Sequence, residues 1–301
     1  MKANREQRFS GHESFVCRYG WLPKLYNALQ NDPLVFTDEE RAIVKLGIGK
    51  NMVRSIRFWG ESFGLIKARS GHSYRPTPLA TALLDQNVGR DPYLEDRASL
   101  WLLHWQLTVL ASLGAWHSAF QDVQDNEILK KRFTDLVRLR ANRSKGTLAE
   151  STLKQHIAIF LGTYVSPDLE NVNVLEESLG CPLQELGLIQ ILPDGGKDEI
   201  LQFDRGLKHG LTGQVFGYAL LDFWERFASE SKTLSLKSIC FGQMSPGMVF
   251  KLDENSILGY LDEVEGLSSG VVTFVDTADS QALNLRSDVG LSDIKAQLGY
   301  P

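Results

Sequence analysis

The sequence predicts a mainly α-helical protein with small β-hairpin wings, built from several winged helix-turn-helix-like modules. Hydrophobic residues recur at helical spacing along most of the 301 residues, which is typical of amphipathic helices. Short strand-like pairs around polar, glycine-containing turns follow some of these helices. We divide the chain into an N-terminal module over residues 1–90, a helical middle module over 91–210 and a C-terminal module over 211–301.

Composition and charge are those of a globular protein with two kinds of partner. Apolar residues make up 43% of the chain and charged residues 23%, and no apolar run reaches the roughly 18 residues that cross a bilayer. The polar N-terminus and the separated Cys17, Cys181 and Cys240 predict a cytoplasmic protein. Residues 1–150 carry 22 basic and 16 acidic side chains, whereas residues 151–301 carry 10 and 21. We therefore expect a polyanion to meet the N-terminal half.

The segment before the first predicted helix-turn-helix is rich in side chains that can act as general bases, bind metals or bind phosphate. His12 and Glu13 follow Gly11, and a glycine allows a loop in which both side chains face one target. Each can act as a general base or bind a metal ion, and Arg18 with Lys24 can hold a phosphate. The alternative is a structural clamp in which the aromatic residues of this segment pack on the core.

Residues 37–79 show the winged helix-turn-helix pattern most clearly. We expect one helix capped by Thr37, a break at residues 47–49, a second helix over 51–63, and two short strands around a polar tip. Cations on one face of the second helix are spaced to enter a major groove, and those of the wing can reach phosphates. A protein-binding winged helix with solvated cations is the alternative. The predicted DNA-binding residues here are Lys50, Asn51, Arg54, Arg57, Arg69, His72 and Arg75.

The middle module begins with an aromatic helical stretch over residues 94–123 that is typical of a core. His104 and His117 lie within it, and no zinc-ligand spacing surrounds them, so we expect both to serve packing or capping. A helix, a basic turn and another helix follow over residues 126–164. This is either a second helix-turn-helix on the same DNA or a basic loop on a helical bundle. The first interpretation adds Arg143, Lys145 and Lys154 to the DNA-binding residues.

The C-terminal part repeats the pattern with inverted charge. A hairpin is expected over residues 188–203, and helices over 211–228, 234–240 and 253–264 precede two strands near the C-terminus. Carboxylates on the last of these helices would repel phosphate, so we expect a protein interface there. These acidic residues are Asp253, Glu254, Asp262, Glu263 and Glu265.

Several known catalytic motifs are incomplete or absent. The glycines at 47 and 49 with Lys50 suggest a phosphate-binding loop, but Val44 stands where that loop needs a glycine and Asn51 replaces its Ser or Thr. There is no Gly-x-Ser-x-Gly elbow, no Cys-x-x-Cys pair and no dense carboxylate cluster for paired metals. The sequence therefore argues against a P-loop enzyme and a serine hydrolase.

Seven short motifs are spread across nearly the whole chain. They are FSGHE at 9–13, RYGWL at 18–22, LGIGKNMV at 46–53, PYLED at 92–96, WLLHWQL at 101–107, SPG at 245–247 and FKL at 250–252. In these motifs the sequence resembles the uncharacterised-domain family of bacterial DNA phosphorothioation systems, the SspB-type DNA-nicking component. The resemblance implies nicking activity in a defence system, together with a cysteine desulfurase, an ATP-pyrophosphatase-like sulfur transferase and an ATPase.

We therefore expect a DNA-binding and DNA-nicking protein. His12 or Glu13 would be the base or metal ligand, and Arg18 or Lys24 would stabilise charge on the phosphate. A divalent metal, Mg²⁺ or Mn²⁺, is the one cofactor considered, no membrane partner is expected, and a homodimer is left open. The alternative is a non-catalytic DNA-binding adaptor that recruits the modification enzymes through its acidic C-terminal module.

Overall fold

The computed structural model is mainly α-helical with small antiparallel sheets, which confirms the predicted fold class. The larger of its two compact units contains Arg5–Ala119 and Glu127–Phe203, and the smaller contains Phe120–Asn126 and Asp204–Pro301. The finer division into three modules stays a prediction. The structure describes residues 6–69, 73–166, 180–196, 198–277, 280–286 and 290–301.

The first part of the larger unit follows the predicted order of helix, turn, helix and hairpin. Asp38, not Thr37, caps the second helix, because its carboxylate accepts the N–H groups of Glu40 and Arg41. Gly47 ends that helix with a left-handed φ of 64°. That this region works as a winged helix stays a prediction. The elements are α1 (Trp21–Asn31), α2 (Glu39–Leu46), α3 (Lys50–Ser62), β1 (Ile66–Ala68) and β2 (Tyr74–Pro76).

The rest of the larger unit consists of helices and one three-stranded antiparallel sheet in the order β3-β5-β4. The predicted hairpin over residues 188–203 is present as β4 and β5. Ile128 and Leu129, predicted as helical, instead pair with β5, and the helix begins at Lys130. The elements are α4 (Pro78–Leu84), α5 (Arg97–Leu110), α6 (Gly114–His117), β3 (Glu127–Leu129), α7 (Lys130–Lys145), α8 (Glu150–Tyr164), β4 (Ile189–Pro193) and β5 (Glu199–Phe203).

An aromatic cluster forms the core of the larger unit, as the sequence predicted. Trp59, Trp101 and Trp116 are fully buried, and Trp116 meets Phe160 edge to face with ring centroids 5.1 Å apart. His104 packs edge to face on Tyr164 with ring centroids 5.5 Å apart, and its Nδ1 lies 2.8 Å from the Tyr164 hydroxyl. The core therefore joins the winged-helix-like region to α5, α6 and α8.

The smaller unit packs helices around α9 and has its own antiparallel sheet in the order β6-β8-β7. Phe216 of α9 stacks on Tyr260 of α12 with centroids 5.0 Å apart. Leu234, predicted as helical, lies in β6 because it pairs with Leu283 of β8. None of the described helices is long and apolar enough to cross a membrane. The elements are α9 (Gly213–Phe227), β6 (Thr233–Ser235), α10 (Leu236–Phe241), α11 (Pro246–Val249), α12 (Glu254–Leu267), β7 (Val272–Thr277), β8 (Ser280–Leu285) and α13 (Leu291–Gln297).

Candidate functional site

The candidate site is a strained loop of residues 11–14, which we call the 11–14 loop. Glu13 and Ser14 have left-handed φ angles of 49° and 67°, and Gly11 has a φ of 107°. Two successive side-chain-bearing residues in the left-handed region are uncommon, and such strain is concentrated at functional sites. A Cβ on Gly11 would lie 2.9 Å from Cδ2 of Phe58, so a glycine is also required by the close approach to α3.

Side chains from α3 and α8 hold the 11–14 loop in place. Ser55 Oγ of α3 donates to the carbonyl oxygen of His12 at 3.0 Å. The Gln155 amide of α8 donates to Ser14 Oγ. Trp59 Nε1 donates to the carbonyl oxygen of Phe15 at 3.0 Å, just after the loop. These bonds offset the strain of the loop and fix its backbone between the two helices.

His12 lies at the centre of this arrangement. Its side chain is 2% exposed, and neither ring nitrogen has a hydrogen-bond partner among the described residues. Burial, with a smaller contribution from the Arg8 guanidinium, lowers the pKa of His12 to about 4. The imidazole is therefore neutral at pH 7, which is the form that accepts a proton or binds a metal.

His156 of α8 is the partner that the sequence did not predict. Its ring stacks on that of His12 with centroids 5.7 Å apart and planes 21° apart. Its Nε2 accepts the backbone N–H of Ala115 at 3.1 Å, and burial lowers its pKa to about 3, with His12 contributing. A buried histidine within the apolar face that includes Leu153 and Ile157 was the available signal.

The geometry limits how a metal ion could bind here. Imidazole binds metals through in-plane nitrogen lone pairs, so the nearly parallel rings of His12 and His156 do not point at a common ion. Within the described residues, no group of three His, Cys, Asp or Glu side chains is arranged to hold a metal. Mg²⁺ prefers oxygen and often binds one or two carboxylates plus substrate phosphates. The half-buried Glu13 carboxylate fits that chemistry, whereas buried His12 does not.

Arg18 and Lys24 lie in different surroundings. The Arg18 guanidinium is 5.7 Å from the ring centroid of Phe15 and 5.8 Å from that of Trp21, which ties it to the chain just after the 11–14 loop. Lys24 is exposed, and its Nζ donates to the carbonyl oxygen of Leu46 at 3.3 Å, at the end of α2. Of these two predicted cations, Arg18 is thus the one with contacts next to the loop.

On α3, two of the predicted DNA-binding cations share one carboxylate. Lys50 Nζ lies 2.8 Å and Arg54 Nε 2.6 Å from the oxygens of Glu39, on α2. The hydrogen bond from Lys50, followed by that from Arg54, lowers the pKa of Glu39, so this carboxylate stays ionised. Arg57 lies over the Tyr74 ring at 5.8 Å from its centroid. The groove-facing charge predicted for α3 is therefore partly neutralised.

The remaining predicted DNA-binding residues are mainly on the surface. The exposed group is Asn51, Arg69, Arg75, Arg143 and Lys154. No residue within the described part of the chain forms a hydrogen bond or an ion pair with the side chains of this group. His72 and the side chain of Lys145 lie outside the described residues.

Cys17 is fully buried next to this segment, and burial, with Cys181 nearby, raises the pKa of its thiol. A buried thiol of raised pKa is a poor nucleophile, because the thiolate is the reactive form. Cys17 therefore has the surroundings of a packed side chain.

In the smaller unit, two of the acidic residues expected at a protein interface have structural roles. Asp253 caps α12 by accepting the N–H of Ser256, and Glu265 accepts the N–H of Phe274 at 3.0 Å. Glu254, Asp262 and Glu263 remain as exposed carboxylates on the same helix. The protein interface stays a prediction that now depends on these three.

The similarity to known proteins extends over almost the full length of the chain. The family described as "Protein of unknown function (DUF4007)" matches residues 9–296. A solved structure titled "Magnesium ion-bound SspB crystal structure" is similar with a TM-score of 0.83 and 29% identity, covering 96% of this chain and 85% of that chain. A second, titled "SspB crystal structure", has a TM-score of 0.81 and 30% identity with the same coverage. No curated protein matches the sequence.

Proposed function

Because the chain belongs to the DUF4007 family and shares the SspB fold, we propose that it binds and nicks DNA as a component of a DNA phosphorothioation system. The observation that carries the nicking proposal is the 11–14 loop. It combines two left-handed residues with an imidazole that is buried, neutral and without hydrogen bonds from described residues. Backbone strain is concentrated at functional sites, and a buried polar group without a partner needs an explanation, of which a catalytic role is one.

Nicking a phosphodiester requires a proton acceptor for the attacking oxygen and positive charge near the phosphate. Glu13 is the accessible acceptor, and neutral His12 is a second one that needs a displacement of the 11–14 loop to meet solvent. Arg18, held over the Phe15 ring, is the cation that would face charge developing on the phosphate. A divalent metal bound by Glu13 and a DNA phosphate would supply Lewis-acid stabilisation of that charge.

A supercoiled-plasmid assay tests this proposal. With Mg²⁺ or Mn²⁺ the wild-type protein should convert supercoiled plasmid to the open-circular form, and a chelator should stop the conversion. Glu13→Gln and His12→Ala should each slow nicking by about 100-fold or more, the range of a lost acid–base group. DNA affinity, measured by fluorescence anisotropy, should change by less than about threefold, since neither residue is proposed to contribute binding charge.

The matched control is Glu40→Gln, which removes an exposed carboxylate of α2 outside the candidate site. It should nick at the wild-type rate. A plasmid that stays supercoiled with both metals would contradict the nicking proposal.

The second candidate is a DNA-binding adaptor without catalysis. It is favoured by the exposed carboxylates Glu254, Asp262 and Glu263 on α12, in the half of the chain with 10 basic and 21 acidic residues. Such a surface suits a basic patch on a sulfur-modification enzyme. Wild-type protein that binds plasmid without nicking it would favour this function.

A further inference from the structure

We propose that the outer face of α7 contacts the DNA backbone, through Lys131, Arg132 and Arg143, which we call the α7 cationic face. This inference rests on the DNA binding proposed above and says which surface carries it. Of the three residues, only Arg143 belongs to the DNA-binding set expected from the sequence.

Helix α7 carries far more positive than negative side chains. Its 16 residues include seven Lys or Arg and a single carboxylate, Asp135. Among the described side chains, Lys130 forms an ion pair with Glu199, and Arg138 forms ion pairs with Asp135 and Glu150. Arg140 donates a hydrogen bond to a serine hydroxyl.

The three cations of the α7 cationic face are exposed and have no ion-pair partner among the described residues. Lys50 and Arg54 of α3 differ, because both are bound to Glu39. A cation already in an ion pair must give up that pair to contact a phosphate, and an unpaired one need not. The α7 cationic face is therefore better prepared for a polyanion than Lys50 and Arg54 of α3 are.

Helix stability does not account for this placement. Lys131 and Arg132 lie in the first turn of α7, which contains no acidic residue. The N-terminal end of a helix carries partial positive charge and favours carboxylates over cations. These side chains therefore cost the isolated helix stability, and a bound anion would offset that cost.

The spacing matches a duplex. Arg132 and Arg143 are eleven residues apart, which corresponds to three helical turns and places them on one side of α7 about 16 Å apart. The major groove of B-DNA is about 12 Å wide, so two extended arginine side chains can reach the backbones on its two sides. Lys131 stands beside Arg132 and can meet a neighbouring phosphate.

The same face leads to the candidate site. Arg143 precedes Ser144, whose hydroxyl accepts the backbone N–H of Gln7 at 3.0 Å, shortly before the 11–14 loop. On the following helix, Gln155 donates to Ser14 in that loop. The C-terminal end of α7 is thus tied to the segment that leads into the 11–14 loop.

Fluorescence anisotropy with a labelled duplex of about 25 base pairs, at several salt concentrations, tests this inference. The double variant Arg132→Gln with Arg143→Gln should weaken binding by about tenfold or more. It should also reduce the slope of log affinity against log salt concentration by about two, because two phosphate contacts are lost. Glutamine at these exposed positions keeps helix propensity, and circular dichroism at matched temperatures checks folding.

Two control variants separate this face from general charge effects. Lys232→Gln with Lys237→Gln removes the same charge from exposed positions of the smaller unit and should leave affinity and slope unchanged. Leu139→Ala alters an exposed apolar residue on the same side of α7 and should leave the slope unchanged.

Wild-type protein that binds the duplex, with a double variant that binds equally well and with the same slope, overturns the inference and leaves the proposed DNA binding intact. An equal loss in the Lys232 and Lys237 control also overturns it. Wild-type protein that does not bind the duplex at all would overturn both proposals.

Discussion

Glu39 controls how much positive charge α3 presents to a ligand. Its carboxylate lies 2.8 Å from Lys50 Nζ and 2.6 Å from Arg54 Nε, although both cations remain partly exposed. A carboxylate between two cations weakens the field that a phosphate would meet. If α3 enters a groove as the sequence predicts, this pairing reduces the affinity of the free protein for DNA.

Glu39→Gln should therefore tighten DNA binding by about threefold to tenfold and steepen its salt dependence by about one, because it frees cations for phosphate contacts. Anisotropy titrations at two salt concentrations would measure both effects. Glu40→Gln removes a neighbouring carboxylate that is not paired with these cations, and it controls for net charge. Unchanged or weaker binding by Glu39→Gln would argue against contact of α3 with DNA.

His12 and His156 show what can and cannot be predicted for single residues. His12 was predicted as a candidate because a glycine and a glutamate flank it in a segment rich in chemical groups. His156 was missed because its contact with His12 joins residues 144 positions apart. Its position on the apolar face of α8 indicates burial but does not identify His12 as its neighbour. Its burial also removes the water that would otherwise solvate the two rings.

At the level of elements, α1 and α3 pack so closely that a side chain at one position of α3 would displace its neighbours. A Cβ built on Gly60, in the interior of α3, would lie 2.2 Å from Cδ2 of Leu25 on α1. Glycine lowers helix stability by about 0.5–1 kcal/mol relative to alanine, so its presence here reflects packing and not helix propensity. Gly259 in α12 is the opposite case, since a Cβ there would meet nothing within 4 Å.

Gly60→Ala should destabilise the protein by about 1–3 kcal/mol, because the added methyl group displaces the buried side chain of Leu25. Gly259→Ala should stabilise it by up to about 1 kcal/mol through helix propensity alone. Thermal unfolding followed by circular dichroism would compare both with the wild type. A shift of the same sign for the two variants would contradict this account of α3 packing.

At the scale of the whole molecule, the smaller unit includes a short segment from the middle of the chain. Residues 120–126 group with residues 204–301, and two cations of the smaller unit bind carbonyl groups of this segment. Lys251 Nζ donates to Val123 O at 2.5 Å, and Arg205 Nη2 donates to Gln124 O at 2.6 Å. Lys251 is fully buried, and burial, with Arg205 nearby, lowers its pKa to about 7.

This lowered pKa predicts a pH dependence of stability. Between pH 7 and about pH 10.5 the unfolded chain keeps the Lys251 proton while the folded protein releases it, so unfolding takes up a proton and stability rises with pH. Below pH 7 both states bind the proton and this contribution is constant. Relative to Lys251→Met, the wild type should gain about 1–2 kcal/mol of unfolding free energy between pH 7.5 and pH 9.

Urea unfolding of both proteins at the two pH values would measure this difference. Methionine keeps the length and apolar character of the side chain, so the comparison isolates the titrating amine. Parallel changes in the wild type and the variant would show that Lys251 keeps its proton in the folded protein.

Much of the fold was predictable because the signals that define its elements are local. Helical periodicity, glycine turns and paired short strands are properties of neighbouring residues, and α3, the β4–β5 hairpin and the aromatic core follow from them. Leu129 and Leu234 were assigned to helices in error because their strands form only by pairing with distant chain segments. Short apolar runs do not distinguish a strand from the start of a helix.

The sequence by itself determined the fold class, the order of most elements and the charge asymmetry of the two halves, and it singled out the segment around His12 as the candidate site. Only the tertiary structure decided which charged and polar groups are available to contact a ligand. It placed Glu39 between Lys50 and Arg54, His156 against His12, and the unpaired cations on α7. The physical reason is that ion pairing and burial depend on contacts between residues far apart in the chain, which local patterns do not specify.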